Sequence, residues 1–405
     1  MTALRFRFFC VLLTGGLAGT ACDSKKELVD REVEAWQTSL LELAYSGASK
    51  FPLNPHIKNR SKAQALVFDA ALELGQAALA ERFARGIANW RRGAAFADLA
   101  RFCVENGKMG DIETYLGLAR EVTASAVKEG AGQEWRSDRI LAKVAAVYRL
   151  LGEDAKAVEF GAKIQASEQV HLAKAHAKTV SEAAFKDEIV RIQAAIAGGD
   201  FESIRAGLAT GVHLYDRFYG QADKRSEVRA LVADGYDKLP LDIRMDLLLQ
   251  LSDAALRHQD KGEAAEIVKS VLQILQRGVW LPENEVPMRA RIVEAMHRSG
   301  DEARARAELE SNEKLYLDKL DTIVNIYRAS CLRAIAEAWT VLGDRERALA
   351  TYKRCVEAGL QNPNSRPRAD DFAATCSSLA THRFQPDDAL LARLREVHDG
   401  LGEPW

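Results

Sequence analysis

The stretch from Ala329 to Ala358, ASCLRAIAEAWTVLGDRERALATYKRCVEA, decides the fold. Leu332, Ile335, Ala336 and Trp339 recur at helical spacing and form one apolar stripe. The stripe stops at Leu342-Gly343, where a glycine supplies the left-handed conformation that ends a helix. Asp344 is the residue type that caps the start of the next helix. Ala348, Tyr352 and Cys355 then form a facing stripe, with the small Ala348 placed for close approach of the two helices. The unit is a helical hairpin.

The same layout recurs along the chain. Gly75, Gly107, Gly152, Gly300 and Gly343 are each followed five residues later by Ala80, Ile112, Ala157, Ala305 and Ala348. Around Gly152 the unit reads Leu141, Val144, Ala145, Tyr148, then Ala157, Gly161 and Ile164. Around Gly300 it reads Ile292, Val293 and Met296, then Ala305 and Leu309. Where neighbours pair, the glycines lie 32, 45 and 43 residues apart, so helix or loop lengths vary. Between Gly152 and Gly300 the pattern fades into Ala195-Gly199-Ile204-Leu208 and a run through Leu248, Leu251, Ala255, Ala264, Val268 and Val271. A hairpin exposes an apolar face that only a neighbouring hairpin covers, so the expectation is an all-α stack, irregular in the middle.

This unit resembles the tetratricopeptide repeat (TPR). The resemblance implies a right-handed solenoid of antiparallel helix hairpins whose first helices line a concave groove. On that reading the groove would present Arg101, Glu105, Arg139, Arg149, Glu294, His297, Arg298, Arg333 and Glu337 to a protein or peptide partner. The function implied is non-catalytic scaffolding. A sensor of peptide or glycan fragments, or an enzyme with an unrecognised site, are the alternatives.

Composition agrees with the all-α expectation. The chain has 405 residues, 47% of them hydrophobic, enough for one long solenoid or two domains. Most of the nine prolines fall between helix-like runs, where they cost no helical hydrogen bond. The formal net charge is −2, which argues against a nucleic-acid partner, since phosphate contacts need a concentrated basic surface.

The first 22 residues read as an export signal. Arg5 and Arg7 precede a short apolar run, Phe8 to Leu17, and then Gly19-Thr20-Ala21 before Cys22. That run is too short to span a bilayer. Small residues ahead of a cysteine resemble the bacterial lipoprotein signal, which implies lipidation of Cys22 and a membrane-anchored, exported protein in the cell envelope. Gly19 stands where that family usually has leucine, so ordinary cleavage to a soluble periplasmic protein and an uncleaved anchor stay open. The expected division is residues 1–22 signal, 23–60 tether and N-terminal capping helix, and 61–213 repeats. Degenerate repeats follow over 214–284, then repeats with C-terminal capping helices over 285–405.

No chemistry-bearing motif stands out. The eight histidines include no H-E-x-x-H, and His171 and His176 lie five apart, off a shared helical face. Neither a phosphate-cradling glycine loop nor a G-x-S-x-G turn occurs. Ser125-Ala126-Val127-Lys128 matches S-x-x-K but lacks its K-T-G companion. Cys103, Cys331, Cys355 and Cys376 have no metal-ligand spacing and read as small buried apolar residues, with a Cys355–Cys376 bridge as the alternative. No cofactor and no metal are expected. Two connections are candidate binding loops: Trp90-Arg91-Arg92-Gly93, which combines an aromatic with paired guanidinium groups of the kind enriched at binding hot spots, and Asn362 to Arg368, a rigid, basic connection with Arg366 and Arg368.

Overall fold

Ala, Leu, Arg and Glu dominate the periodic stretches, and these residues lose little rotamer freedom in a helix. The computed structural model describes residues 30–107, 111–126 and 132–405. Among these are α1 (Ala35–Ser49), α2 (Leu53–Glu73), α3 (Ala77–Gly86), α4 (Arg91–Glu105), α5 (Ile112–Ala126), α6 (Glu134–Leu150) and α7 (Asp154–Gly161). A 3-10 segment, Ala166–Leu172, leads into α8 (Ala173–Thr179), α9 (Phe185–Gly198), α10 (Phe201–Arg217), α11 (Ala222–Tyr236), α12 (Leu241–Arg257) and α13 (Lys261–Arg277). The last are α14 (Pro282–Ser299), α15 (Glu302–Asp318), α16 (Asn325–Val341), α17 (Arg345–Leu360), α18 (Ser365–Thr381) and α19 (Asp388–Asp399). The fold is all-α.

The turn leading out of most even-numbered helices carries the repeat. Gly75, Gly107, Gly152, Gly300 and Gly343 all have positive φ, as the sequence requires. In these turns the amide of the residue after the glycine reaches back to a carbonyl of the last turn: Gln76 to Ala71, Glu153 to Tyr148, Asp301 to Met296 and Asp344 to Trp339. Asp344 caps α17 by accepting from the Arg347 amide. Five residues after each glycine, Ala80, Ile112, Ala157, Ala305 and Ala348 are buried.

Helices of the 214–284 region are as long and as well packed as the others, so the expected degeneracy is not observed. The pattern fades there because Gln259, at φ 62°, occupies the position glycine holds elsewhere. The bond from Asp260 to Ala255 is the same, Asp260 caps α13, and Ala264 is buried five residues on. Arg383, at φ 55°, does the same after α18, with Phe384 bonding to Leu379. The irregular stretch lies earlier, in the short α7, the 3-10 segment and the seven-residue α8.

The ends of the chain do not cap separate ends of a stack. Helix α1 packs along α18 as extensively as helices pack within a hairpin, and α18 also packs on α2. Each even-numbered helix from α2 to α18 touches the next, and α18 touches α2, so the array closes into a ring. Odd-numbered helices barely touch one another. Crowding belongs to the shorter circumference, so the even helices form the inner layer and the odd ones the outer. The ring has nine units, and in the ninth the outer partner of α18 is α1, from the opposite end of the chain. The sequence expectation of a capping helix near Lys26 to Leu43 and a capping pair at the C-terminus is corrected accordingly. Both are halves of one closure.

Closure is close-packed. A Cβ on Gly47 would stand 2.5 Å from the Phe372 ring, so only glycine permits this approach. Leu40, Leu41, Ala44, Phe372, Cys376 and Leu379 are buried there. Gln37 Nε2 donates to the Ala380 carbonyl at 2.7 Å, and Lys50 Nζ to the His398 carbonyl at 2.5 Å. Trp405 lies against Phe51, their ring centroids 5.0 Å apart. Nine helices at the usual 8–10 Å spacing describe a circumference of roughly 80 Å, which leaves an axial opening on the order of 7 Å in radius.

An L-residue in the left-handed region costs about 1 kcal/mol that glycine avoids. Gln259→Gly is therefore expected to stabilise the protein by about 1 kcal/mol, read from denaturant unfolding. Loss of stability would show that the Gln259 side chain, exposed here, makes an interaction of its own.

Candidate functional site

Three regions of the ring are candidates. The inner helices all run in one direction, so the stripe each turns away from its outer partner forms the inner wall. Ion pairs link neighbouring stripes. Asp246 meets Arg291 at 2.6 Å, Asp253 meets Arg298 at 3.1 Å, and Asp216 meets Arg257 at 2.9 Å. Lys143 holds Asp98, and Glu105 receives Lys178 at 2.9 Å and Lys174 at 3.1 Å. Burial works to raise Glu105, but its two lysines outweigh it and lower the carboxyl.

Like charges meet in two places on this wall. Burial raises the Glu294 carboxyl, and Glu337 raises it further against the pull of His382, Arg298 and Arg291. Asp69 faces the opening, where the surrounding protein and Asp98 push its carboxyl up to about 6. Next to the closure, burial lifts Asp371 to about 7 despite Arg333 nearby.

The residues expected on the groove all lie on inner helices, and most are already partnered. Besides those above, Arg101 reaches Asp98 at 3.3 Å and Arg333 reaches Glu337 at 3.8 Å. Arg139 makes a two-pronged contact with buried Glu168, at 2.7 and 3.1 Å. His297 keeps a buried Nδ1 without a partner among the described residues. The wall belongs to a closed ring rather than to an open groove.

Both expected loops need correction. Trp90 is buried, not presented, because it packs edge-on against Trp135 at 5.2 Å. Arg91 and Arg92 begin α4, and the Arg91 and Arg139 guanidinium groups lie 4.6 and 5.6 Å from the Trp90 ring centre. Burial and the neighbouring Arg139 and Arg136 lower the Arg91 pKa. Arg366 and Arg368 lie in the first turn of α18, which begins at Ser365. Arg368 Nε donates to the Asn362 carbonyl at 2.6 Å, tying down the preceding turn. Cys22 lies outside the described residues.

The second region is a rim. All the inner helices start on one edge of the ring, and there a row of apolar side chains is exposed. Phe201 begins α10, Leu241 begins α12, Val279 and Leu281 precede α14, and Val324, Ile326 and Tyr327 open α16. Val279 is 102% exposed and Tyr327 44%. This row spans four consecutive units. Sequence reading passed over it, although the signal was present: Leu281 and Val324 hold N-cap positions, where a polar residue is the rule.

The third region is a cavity of about 360 Å³ between α6, α8, α9 and α10, at the irregular stretch of the ring. Arg149 Nη1 lies 2.8 Å from His176 Nδ1, and His176 Nε2 lies 2.9 Å from Glu188 Oε2. An arginine only donates, so Nδ1 accepts and the ring proton sits on Nε2, toward Glu188. Arg191 Nε also reaches Glu188, at 2.9 and 3.1 Å. Burial works to raise Glu188, but His176 and Arg191 outweigh it and hold its carboxyl at about 2. His176, Glu188 and Arg191 are distant in sequence from Arg149, and no motif joins them.

Among the described residues, no group of three or more His, Cys, Asp or Glu is placed to hold a metal ion. No described helix is long and apolar enough to cross a membrane. Cys103, Cys331, Cys355 and Cys376 are free and buried, so Cys355 and Cys376 are not bridged, and burial pushes the Cys331 thiol up to about 12.

The chain has a helical-repeat fold. No family model matches it, and neither does any curated protein. Among solved structures it is similar to one described as a "circular tandem repeat protein with novel repeat topology and enhanced subunit contact surfaces". The two are 16% identical, over 90% of this chain and 94% of the other, with a TM-score of 0.28. A likeness that low carries no argument, so closure rests on the helix packing of this chain.

A carboxyl whose folded pKa lies above its unfolded value stabilises the fold at low pH and loses that contribution as pH rises through the folded value. Glu294 is such a group. Glu294→Gln is expected to raise the melting temperature near pH 8 and to have little effect near pH 4, where the wild-type carboxyl is protonated as well. An equal or lower melting temperature near pH 8 would contradict the like-charge account.

Proposed function

We propose that this chain is an exported, TPR-like ring scaffold, non-catalytic, that docks a protein partner on its apolar rim while a lipid on Cys22 holds it at a membrane of the bacterial cell envelope. The observation that carries this reading is the row from Phe201 to Tyr327. A row of exposed apolar side chains along one edge is costly in water unless a partner covers it. The inner wall suits a partner less well, because its charges already pair with one another.

The geometry of the tether supports the same arrangement. Arg31 donates from its amide to the Gly75 carbonyl, and Asp30 accepts from the Ala78 amide, so the chain enters at the edge opposite the apolar row. Eight residue steps separate Asp30 from Cys22, a reach of at most about 28 Å. A lipid at Cys22 would set the tethered edge toward the membrane and the apolar edge away from it, toward a protein. The several acyl chains of a mature bacterial lipoprotein would hold it stably, where one chain anchors only marginally.

Photo-crosslinking in intact cells tests the docking edge. A photoreactive residue at Val279 or Tyr327 is expected to give covalent protein adducts, and one at Glu346, exposed on the opposite edge, is not. Equal labelling at both edges, or none at Val279 and Tyr327, contradicts the proposal. Anchoring is tested separately: Cys22→Ser is expected to move the protein from the membrane pellet to the soluble fraction. Retention in the pellet would remove the lipid from the account and leave the docking edge standing.

A further inference from the structure

The apolar edge does not explain the cavity beside Arg149. Elsewhere in the ring, inner helices of about four turns lie side by side. Here the even position is filled by the 3-10 segment and the two-turn α8, too short to fill the space between α6 and α10. The gap is kept open by small residues, Ala206 and Gly207 on the α10 side among them. Its volume, about 360 Å³, lies in the range of small-molecule sites.

The charges that line this space are all of one sign. Arg149 and Arg191 contribute guanidinium groups, with His176 between them, and Gln169, Ser203 and Thr210 add polar edges. No carboxylate belongs to the lining. Glu188, Asp187 and Asp154 line the adjoining cavity, and Glu188 is occupied by Arg191 and His176. Arg149 spends one Nη1–H on a neutral imidazole nitrogen, and its other donors have no partner among the described residues. Its positive charge is therefore not neutralised by contact, whereas the arginines of the inner wall nearby have carboxylates. A guanidinium with free donors lining a half-open cleft is suited to a planar or tetrahedral oxyanion, which accepts two hydrogen bonds at once.

We propose that this cavity binds a small molecule carrying a carboxylate or phosphate, with Arg149 gripping the oxyanion and Gln169, Ser203 and Thr210 supplying polar edges beside it. His176 acts as a positioning residue: held by Glu188 through Nε2, it fixes the Arg149 side chain through Nδ1. The site is independent of the docking edge. It gives the ring a ligand-responsive element at its least regular unit.

Isothermal titration of the full chain with citrate, glucose 6-phosphate and, as an uncharged control, glucose tests this. Binding of citrate or of glucose 6-phosphate is expected, and which of the two binds distinguishes a carboxylate from a phosphate site. Arg149→Gln should weaken binding by about tenfold or more, the loss of a charge-assisted hydrogen bond. Ala206→Leu, which fills the space without altering charge, should abolish binding while the helical circular dichroism and melting curve stay as in wild type. The proposal is overturned if neither anion binds at millimolar concentration. It is equally overturned if glucose binds as well as the anions, or if Arg149→Gln and Ala206→Leu bind undiminished.

Discussion

The packing of α1 against α18 holds the rest of the structure in place. A stack of hairpins leaves an apolar face bare at each end, and each bare face costs about 25 cal/mol per Å². Most helical repeats cover those faces with polar caps. This chain instead brings its two bare ends together, with Gly47 admitting Phe372 and with Leu40, Leu41 and Ala44 buried in the seam. Because the outer partner of α18 comes from the other end of the chain, closing the ring ties its first helix to its last hairpin. Each unit then has two neighbours.

Closure also decides what the surfaces offer. Neighbouring inner stripes lie side by side around a confined opening, with Asp246 against Arg291, Asp253 against Arg298 and Glu294 beside Glu337. A wall that satisfies itself electrostatically has little charge left for a partner. The edges differ from each other. One carries the left-handed turns that leave the inner helices together with the incoming chain, and the other carries the apolar row from Phe201 to Tyr327. Direction is thus built into the ring by the antiparallel hairpin alone.

Much of the hairpin chemistry was legible in the sequence, because a glycine that must be left-handed and an alanine that must be small leave few other readings. Gln259 broke the pattern only because a left-handed glutamine looks like any other glutamine in a sequence. Closure was hidden for a different reason. The amphipathic helix from Ala35 to Ser49 has the same stripe whether it caps a stack or completes a ring, and its partner lies more than 300 residues away. The charged inner positions were identified by helix face, but their pairing depends on neighbouring units and not on local spacing. The Arg149 cavity exists because α8 is short, a property of length that no motif records.

The most direct measurement is a distance across the seam. Spin labels on cysteines introduced at exposed Ser39 of α1 and exposed Arg383 just past α18, in a chain whose Cys22 is replaced by serine, would report it, since the four cysteines among the described residues are buried. Neighbouring helices in a closed ring lie about 10 Å apart between axes, so labels on them should be within roughly 30 Å. An open stack of nine hairpins would place the same labels on the order of 70 Å apart or more. A single short distance is the result expected here, and a long or broad distribution would contradict the ring.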